Sequence, residues 1–172
     1  ADELATVAAE ARAHVNLIPL NPTPGWPTTG SPAGRIADFA RRLVAELIAR
    51  ETGKPMWEAI AEVEGVVAKV EVSIRAYAER TAQRKLDSAM QGTNAVRHKP
   101  HGVMAVLGPF NSPALLPAGH IIPALIAGNA IVFKPSEKTP AVGEAFVKYF
   151  RKAGIPESVV RIAQGGPEVG KA

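Results

Sequence analysis

A short loop at residues 108–113 holds the residue best suited to polarise a carbonyl group. Its sequence is Gly-Pro-Phe-Asn-Ser-Pro, so two prolines hold the backbone stiff around Asn111. The amide of Asn111 could donate two hydrogen bonds to an oxyanion. The same side chain could instead cap a turn, and spacing alone favours that simpler interpretation.

Two later loops carry the charges and glycines expected of a nucleotide site. Lys134 and Glu137 place a cation and an anion three residues apart, which suits the hydroxyls of a ribose or a phosphate. As an isolated pattern this is more often a solvated loop. Gly166 and Gly170 form a Gly-x-x-x-Gly turn into a helix, where backbone N–H groups could approach a pyrophosphate. It lacks the GxGxxG arrangement, so alone it is a weak signal.

The elements that must position these loops alternate between strand and helix. Short apolar runs predict strands, and amphipathic stretches predict the helices between them, which implies right-handed crossovers and a parallel sheet. Ligands bind beyond the carboxyl ends of such strands, where the three loops would meet. We predict strands at 103–107, 130–133 and 159–163, the first of them buried, and helices at 115–127 and 141–153. The fold class is therefore α/β, a helical pair followed by a partial Rossmann-like βαβαβ parallel sheet.

The chain stops in the first turn of a further helix. This would leave one face of the last strand uncovered and an open sheet edge, so we expect an incomplete protein.

The first half of the chain is predicted to be helical after a proline-rich arm. We assign residues 1–34 to an Ala-rich helix and this arm, and residues 35–172 to a partial nucleotide-binding domain. An amphipathic helix from Ile36 ends at Gly53 and Pro55, and a second helix from about 56 to 80 would pair with it antiparallel. Steps of four and three along the second helix predict a seam that packs along a neighbour, more often this chain's own sheet than another protein. The seam residues are Met56, Ile60, Val63, Val67, Val70, Ile74 and Tyr77.

Composition argues against several classes of function. The 172 residues include no cysteine and no GxSxG elbow, so they offer no thiol nucleophile, no thiolate metal site and no support for a hydrolase. A net charge of +4 is scattered and aromatics make up only 5%, which disfavours nucleic acid. The longest apolar stretch is too short to cross a bilayer, and we expect a cytoplasmic protein with no metal site.

Taken in order, these motifs resemble the aldehyde dehydrogenase superfamily over roughly residues 36–172. The motifs that carry the resemblance are Glu51-Thr52-Gly53-Lys54-Pro55 with Glu58-Ala59 and Glu62-Val63, then Gly108-Pro109-Phe110-Asn111, then Phe133-Lys134-Pro135-Ser136-Glu137. The resemblance implies NAD-dependent oxidation of a small aldehyde to a carboxylic acid. It also implies a cysteine nucleophile and a glutamate that activates water, both beyond the end of this chain.

The resemblance also implies a role for each candidate site residue. Asn111 would donate to the oxyanion of the thiohemiacetal, and Lys134 with Glu137 would hold the adenosine ribose of NAD, the glutamate disfavouring a 2′-phosphate. The full set of implied cofactor-binding residues is Leu107, Gly108, Pro109, Phe110, Lys134, Ser136, Glu137, Gly166 and Gly170.

Family members assemble as homo-oligomers, and residues 87–102 would hold a strand leading from the oligomerisation domain. Two alternatives remain open: a non-catalytic nucleotide-binding module, and a helical interaction protein that uses the seam.

Overall fold

The structure is a computed structural model that describes residues 33–81, 84–86 and 94–171 of the chain. The predicted helix at 1–13, the arm up to residue 32 and the break at 87–93 lie outside the described residues. The helices are α1 (Ala33–Thr52), α2 (Met56–Thr81), α3 (Leu115–Ile126), α4 (Pro140–Lys152) and α5 (Pro167–Lys171). The strands are β1 (Arg84–Leu86), β2 (Asn94–Val96), β3 (Val103–Leu107), β4 (Ala130–Lys134) and β5 (Val160–Ile162).

The α/β half matches the predicted fold class. Strands β3, β4 and β5 form a parallel sheet in that order, with Leu107 opposite Lys134 and Phe133 opposite Ile162. Helices α3 and α4 fill the two crossovers, and their bounds agree with the sequence prediction to within one residue. A separate antiparallel pair, β1 with β2, precedes this sheet.

The core lies between one face of the sheet and helices α3 and α4. Phe133 is fully buried and meets the ring of Phe146 edge to face at 6.0 Å, and Phe146 meets Phe150 in the same way at 4.9 Å. Ile121 of α3 and Ile131 of β4 are also buried here. The sequence therefore buries alternate residues of β4, as a sheet covered on one face requires.

The predicted burial of β3 is wrong on one face. Val103 and Leu107 are 69% and 65% exposed, and only Val106 of this strand is buried. The reason is that α3 covers one face of β3 and no described element covers the other. The same open face continues onto Val132 of β4, which is 38% exposed.

The helical pair forms as predicted, although α1 begins at Ala33, inside the predicted arm. The two helices are joined by three residues, and Ile48 and Ala45 of α1 pack with Ala59 and Val63 of α2 in a second apolar cluster. This cluster includes Val142 of α4, so the hairpin is attached to the α/β half.

The prediction that the α2 seam packs on this chain's own sheet is wrong over most of the seam's length. Val63 is buried and Met56 packs beside it, but Ile60, Val67, Val70, Ile74 and Tyr77 are all between 37% and 53% exposed. The buried face is rotated toward Ala59, Glu62 and Ser73, because both α1 and α3 pack there. Among the described residues, no helix combines the length and apolar character that a bilayer crossing requires.

Lys54, in the loop between α1 and α2, forms an ion pair with two glutamates of α2. Its Nζ lies 2.8 Å from Glu62 Oε2 and 3.4 Å from Glu58 Oε1. Burial lowers the pKa of Lys54, but the hydrogen bonds and charges of Glu62 and Glu58 outweigh it, so the pKa is raised above its usual 10.5. Glu62 itself is almost fully buried, so the ammonium supplies the countercharge that its carboxylate needs.

The raised pKa of Lys54 predicts a loss of stability in alkaline solution. Because the pKa of Lys54 is higher in the folded protein, its full stabilising contribution is present below the pKa of the unfolded chain, about 10.5. This contribution is lost as the pH rises from there through the pKa of the folded protein. Burial also raises the pKa of Tyr149 above 10.0, so the comparison is made with Tyr149→Phe in both proteins. We expect the free energy of unfolding, measured in urea, to fall less steeply above pH 10.5 when Lys54→Met is added. Equal slopes with and without Lys54 would contradict this assignment.

Close packing of α4 on the loop after β4 predicts a difference between two helical glycines. A Cβ on Gly143 would lie 2.5 Å from Pro135 Cβ, and Pro135 is fully buried and cannot move aside. We expect Gly143→Ala to lower the free energy of unfolding by about 1–3 kcal/mol. Gly119→Ala is the control, because its Cβ would meet only Lys69 Cε, at 3.9 Å, and helix propensity should add up to about 1 kcal/mol. A Gly143→Ala protein as stable as the parent would show that α4 is free to shift.

Candidate functional site

Parallel pairing brings the three candidate loops to one edge of the sheet. The ladder continues past the strand ends, where Gly108 donates its N–H to the carbonyl of Lys134 at 2.7 Å. On the other side of β4, Ala163 donates its N–H to the carbonyl of Phe133 at 2.9 Å. The loops that follow β3, β4 and β5 are therefore neighbours, as the sequence predicted.

The loop after β3 presents Asn111 on the surface. The Asn111 side chain is exposed and has no hydrogen-bond partner within the described part of the chain, so it does not cap a turn there. Two residues later, Pro113 is fully buried and anchors the loop. The arrangement leaves the amide of Asn111 able to donate outward.

Gly108 sets how closely this loop can approach the sheet. A Cβ at Gly108 would lie 2.9 Å from Phe133 Cε2 and 3.2 Å from Pro117 Cγ, and both of those side chains are fully buried. Any larger residue would therefore push the loop outward. The neighbouring apolar residues Leu107 and Phe110 are 65% and 38% exposed, so they offer exposed apolar surface at this edge.

The loop after β4 brings Lys134 and Glu137 together. Lys134 Nζ lies 3.9 Å from Glu137 Oε2 and donates to the carbonyl of Pro135 at 3.1 Å. The Lys134 side chain is only 12% exposed, whereas that of Glu137 is 49% exposed. The ammonium is thus held against the surface while the carboxylate stays accessible.

Ser136 lies inside this loop rather than on its surface. It is 8% exposed, and its Oγ accepts a hydrogen bond from the N–H of Lys138 at 3.2 Å. The hydroxyl therefore shapes the loop, and its contact with a cofactor stays a prediction.

The third loop lies beside the second. The aliphatic part of Lys134 runs along Gly170, where an added Cβ would sit 3.5 Å from Lys134 Cδ. The N–H of Gly166 donates to Oε1 of Glu168 at 2.8 Å. The N–H predicted to approach a pyrophosphate is therefore already bonded to a carboxylate of the same turn. Sequence reasoning missed Glu168, although an acidic residue two positions after a glycine is a recognisable local signal.

Lys138 is a second residue that the sequence reasoning missed. Its Nζ lies 5.5 Å from the centre of the Phe110 ring, which joins the first two loops through a cation–π contact. No local signal indicates this contact, because it depends on how closely the side chains of two separate loops approach each other.

Comparison with known proteins agrees with this geometry. The sequence model of the aldehyde dehydrogenase family matches residues 33–172. Two similar curated proteins are both named N-succinylglutamate 5-semialdehyde dehydrogenase. The one from Novosphingobium aromaticivorans is 70% identical over 129 residues, 75% of this chain and 27% of that protein. The one from Sphingopyxis alaskensis is 63% identical over 128 residues, 74% of this chain and 27% of that protein.

Solved structures agree in fold. Lactaldehyde dehydrogenase from Escherichia coli superimposes with a TM-score of 0.71 at 32% identity, covering 76% of this chain and 28% of that one. GapN, a glyceraldehyde-3-phosphate dehydrogenase from Methanocaldococcus jannaschii complexed with NADP, gives a TM-score of 0.67 at 28% identity, covering 79% and 30%. The chain spans about a quarter of the length of the curated relatives it matches. With a family match over residues 33–172 and a matching fold, this chain belongs to the aldehyde dehydrogenase family.

Proposed function

We propose that this chain forms part of the NAD-binding half of an enzyme that oxidises an aldehyde to a carboxylic acid. The observation that carries the proposal is the convergence of three loops at the carboxyl edge of the sheet, with Lys134 beside both Glu137 and Gly170. The substrate we propose is N-succinylglutamate 5-semialdehyde, because that substrate appears in the names of the relatives at 70% and 63% identity.

The residues at this edge fit a dinucleotide. Glu137 offers an accessible carboxylate to accept hydrogen bonds from ribose hydroxyls, and Lys134 offers an ammonium to donate to them. The exposed apolar surface of Leu107 and Phe110 suits the nicotinamide side, with the backbone of Gly108 and Pro109 between them. NAD, when bound, supplies the acceptor for the hydride that leaves the aldehyde carbon.

The chemical contribution proposed for this chain is the Asn111 amide. An N–H donor aimed at the carbonyl oxygen stabilises the negative charge that develops there when a thiolate attacks. The 172 residues contain no cysteine, so the thiolate belongs to residues outside this sequence. We further assign residues 35–172 to a partial NAD-binding domain. Within residues 87–102 we propose a strand that leads out of an oligomerisation domain, and the described strand β2, which pairs with β1 apart from the parallel sheet, supports this.

The cofactor assignment predicts that NAD binding depends on Lys134. Titration calorimetry of the chain with NAD should show binding that Lys134→Ala weakens by about tenfold, equivalent to about 1.4 kcal/mol. Lys99→Ala is the matched control, because Lys99 is exposed and precedes the opposite end of β3. Circular dichroism confirms that all three proteins are folded. Equal weakening by both substitutions, or no binding by the folded parent, would overturn the proposal.

The choice of NAD over NADP is assigned to Glu137. Its exposed carboxylate would lie close to the 2′-phosphate of NADP and repel it, whereas it would accept a hydrogen bond from the 2′-hydroxyl of NAD. We expect Glu137→Gln to lower the ratio of the dissociation constant for NADP to that for NAD by about tenfold or less, since the repulsion is partly screened by solvent. Glu144→Gln, on the exposed surface of α4, is the control. An unchanged ratio in Glu137→Gln would mean that another residue selects the cofactor.

A further inference from the structure

Helices α3 and α4 both begin without a local side-chain cap. The residue before α3 is Ala114, which has no polar side chain, and the hydroxyl of Thr139 before α4 is buried without a partner among the described residues. The first backbone N–H groups of a helix have no acceptor within the helix, so they need one from elsewhere. These two helices directly follow the two loops assigned to catalysis and cofactor binding.

The missing acceptors come from two glutamates of the helical hairpin. Glu62 of α2 accepts the N–H groups of Ala114 and Leu115 on Oε1, at 2.9 and 3.1 Å. Its other oxygen faces Lys54. Every oxygen of this buried carboxylate is therefore used, one for the helix and one for the cation.

Glu51, near the end of α1, does the same for α4. Its Oε1 accepts the N–H of Ala141 at 3.0 Å and its Oε2 that of Val142 at 2.9 Å. Pro140, the first residue of α4, has no N–H to satisfy. Both carboxylates also place negative charge at the positive end of a helix, which is favourable.

We propose that Glu51 and Glu62 are positioning residues that fix the two loops of the site through the helices that follow them. The two glutamates lie on either side of the α1–α2 turn, so one hairpin holds both helix starts in a single arrangement. Glu62 fixes the 108–113 loop that carries Asn111, and Glu51 fixes the 134–139 loop that carries Lys134 and Glu137. The effect on cofactor binding rests on the proposed function, whereas the effect on the loops does not.

The test is amide hydrogen exchange in single variants of the chain. Within the described residues, the N–H groups of 114, 115, 141 and 142 bond only to these carboxylates, so their protection reports the contacts directly. We expect Glu62→Ala to speed exchange at 114 and 115 by at least about tenfold and leave 141 and 142 protected. Glu51→Ala should give the reverse pattern. General destabilisation would instead raise all four rates together, and that result would overturn the proposal.

Two further variants separate the cap from the ion pair and serve as controls. The double variant Lys54→Met with Glu62→Gln keeps an oxygen for the helix and removes both charges, so 114 and 115 should stay protected even if Glu62→Ala fails to fold. Rapid exchange at 114 and 115 in this folded double variant would contradict the role of the cap. Glu71→Gln changes an exposed glutamate of α2 and should leave all four rates unchanged.

NAD titration of the same variants distinguishes the two proposals. Glu51→Ala should raise the dissociation constant for NAD by about tenfold, through loss of order in the 134–139 loop. If the parent does not bind NAD but the exchange pattern is as expected, the proposed function fails and the positioning role stands. If the parent and Glu51→Ala bind NAD equally well, the loop is ordered without Glu51, and its positioning role is wrong.

Discussion

The parallel pairing of β4 with a strand on each side is the constraint from which the rest of the structure follows. It fixes Lys134 opposite Leu107 and Phe133 opposite Ile162, so the three loops must leave the sheet at the same edge. It also forces the chain to return across the sheet between strands, which α3 and α4 do on the face that buries Phe133. Backbone pairing alone therefore places the three loops at one edge, whatever their side chains.

Parallel strands alone do not decide how far each loop stands from the sheet. That distance is set by close contacts beneath the loops, at Gly108 over Phe133 and at Gly143 against Pro135. Neither glycine needs an unusual backbone angle, because the requirement is one of space. The carboxylates of Glu62 and Glu51 accept hydrogen bonds from the first N–H groups of α3 and α4, the helices that follow these loops. Each loop is therefore restrained at its strand end and at its helix end.

Local patterns were sufficient to predict most of the fold. Apolar periodicity predicts α2, α3 and α4 and the strands β3 to β5, and their order implies a parallel sheet with the candidate loops together. The polar strand β1 (Arg84–Leu86) carries no such signal and is not predicted. The prediction failed at β3 and along the α2 seam, where burial depends on what covers a surface rather than on which residues form it. Val103 and Ile74 are apolar and regularly spaced, yet they are 69% and 53% exposed. Apolar spacing indicates that a face can be buried, but it cannot identify the partner.

The residues of the candidate site likewise fall into those with a local sequence signal and those whose role depends on distant partners. Asn111, Lys134 and Glu137 were found from their positions after predicted strands, a local signal. Glu51 and Glu62 were noticed only as parts of a family motif, because their partners are 90 and 52 residues away in sequence. Ser136 is predicted at the site by resemblance; its hydroxyl accepts a hydrogen bond from the N–H of Lys138 in its own loop, and its contact with a cofactor stays a prediction.

The most direct test of the central claim is to map NAD onto the amides of the isotopically labelled chain by NMR. The account predicts chemical-shift changes at the non-proline amides of residues 107–111, 134–137 and 166–170. It predicts none at residues 97–102, which precede the opposite end of β3. Shifts confined to residues 97–102, or no shifts at all in a folded chain with millimolar NAD, would contradict a cofactor site at the carboxyl edge of the sheet.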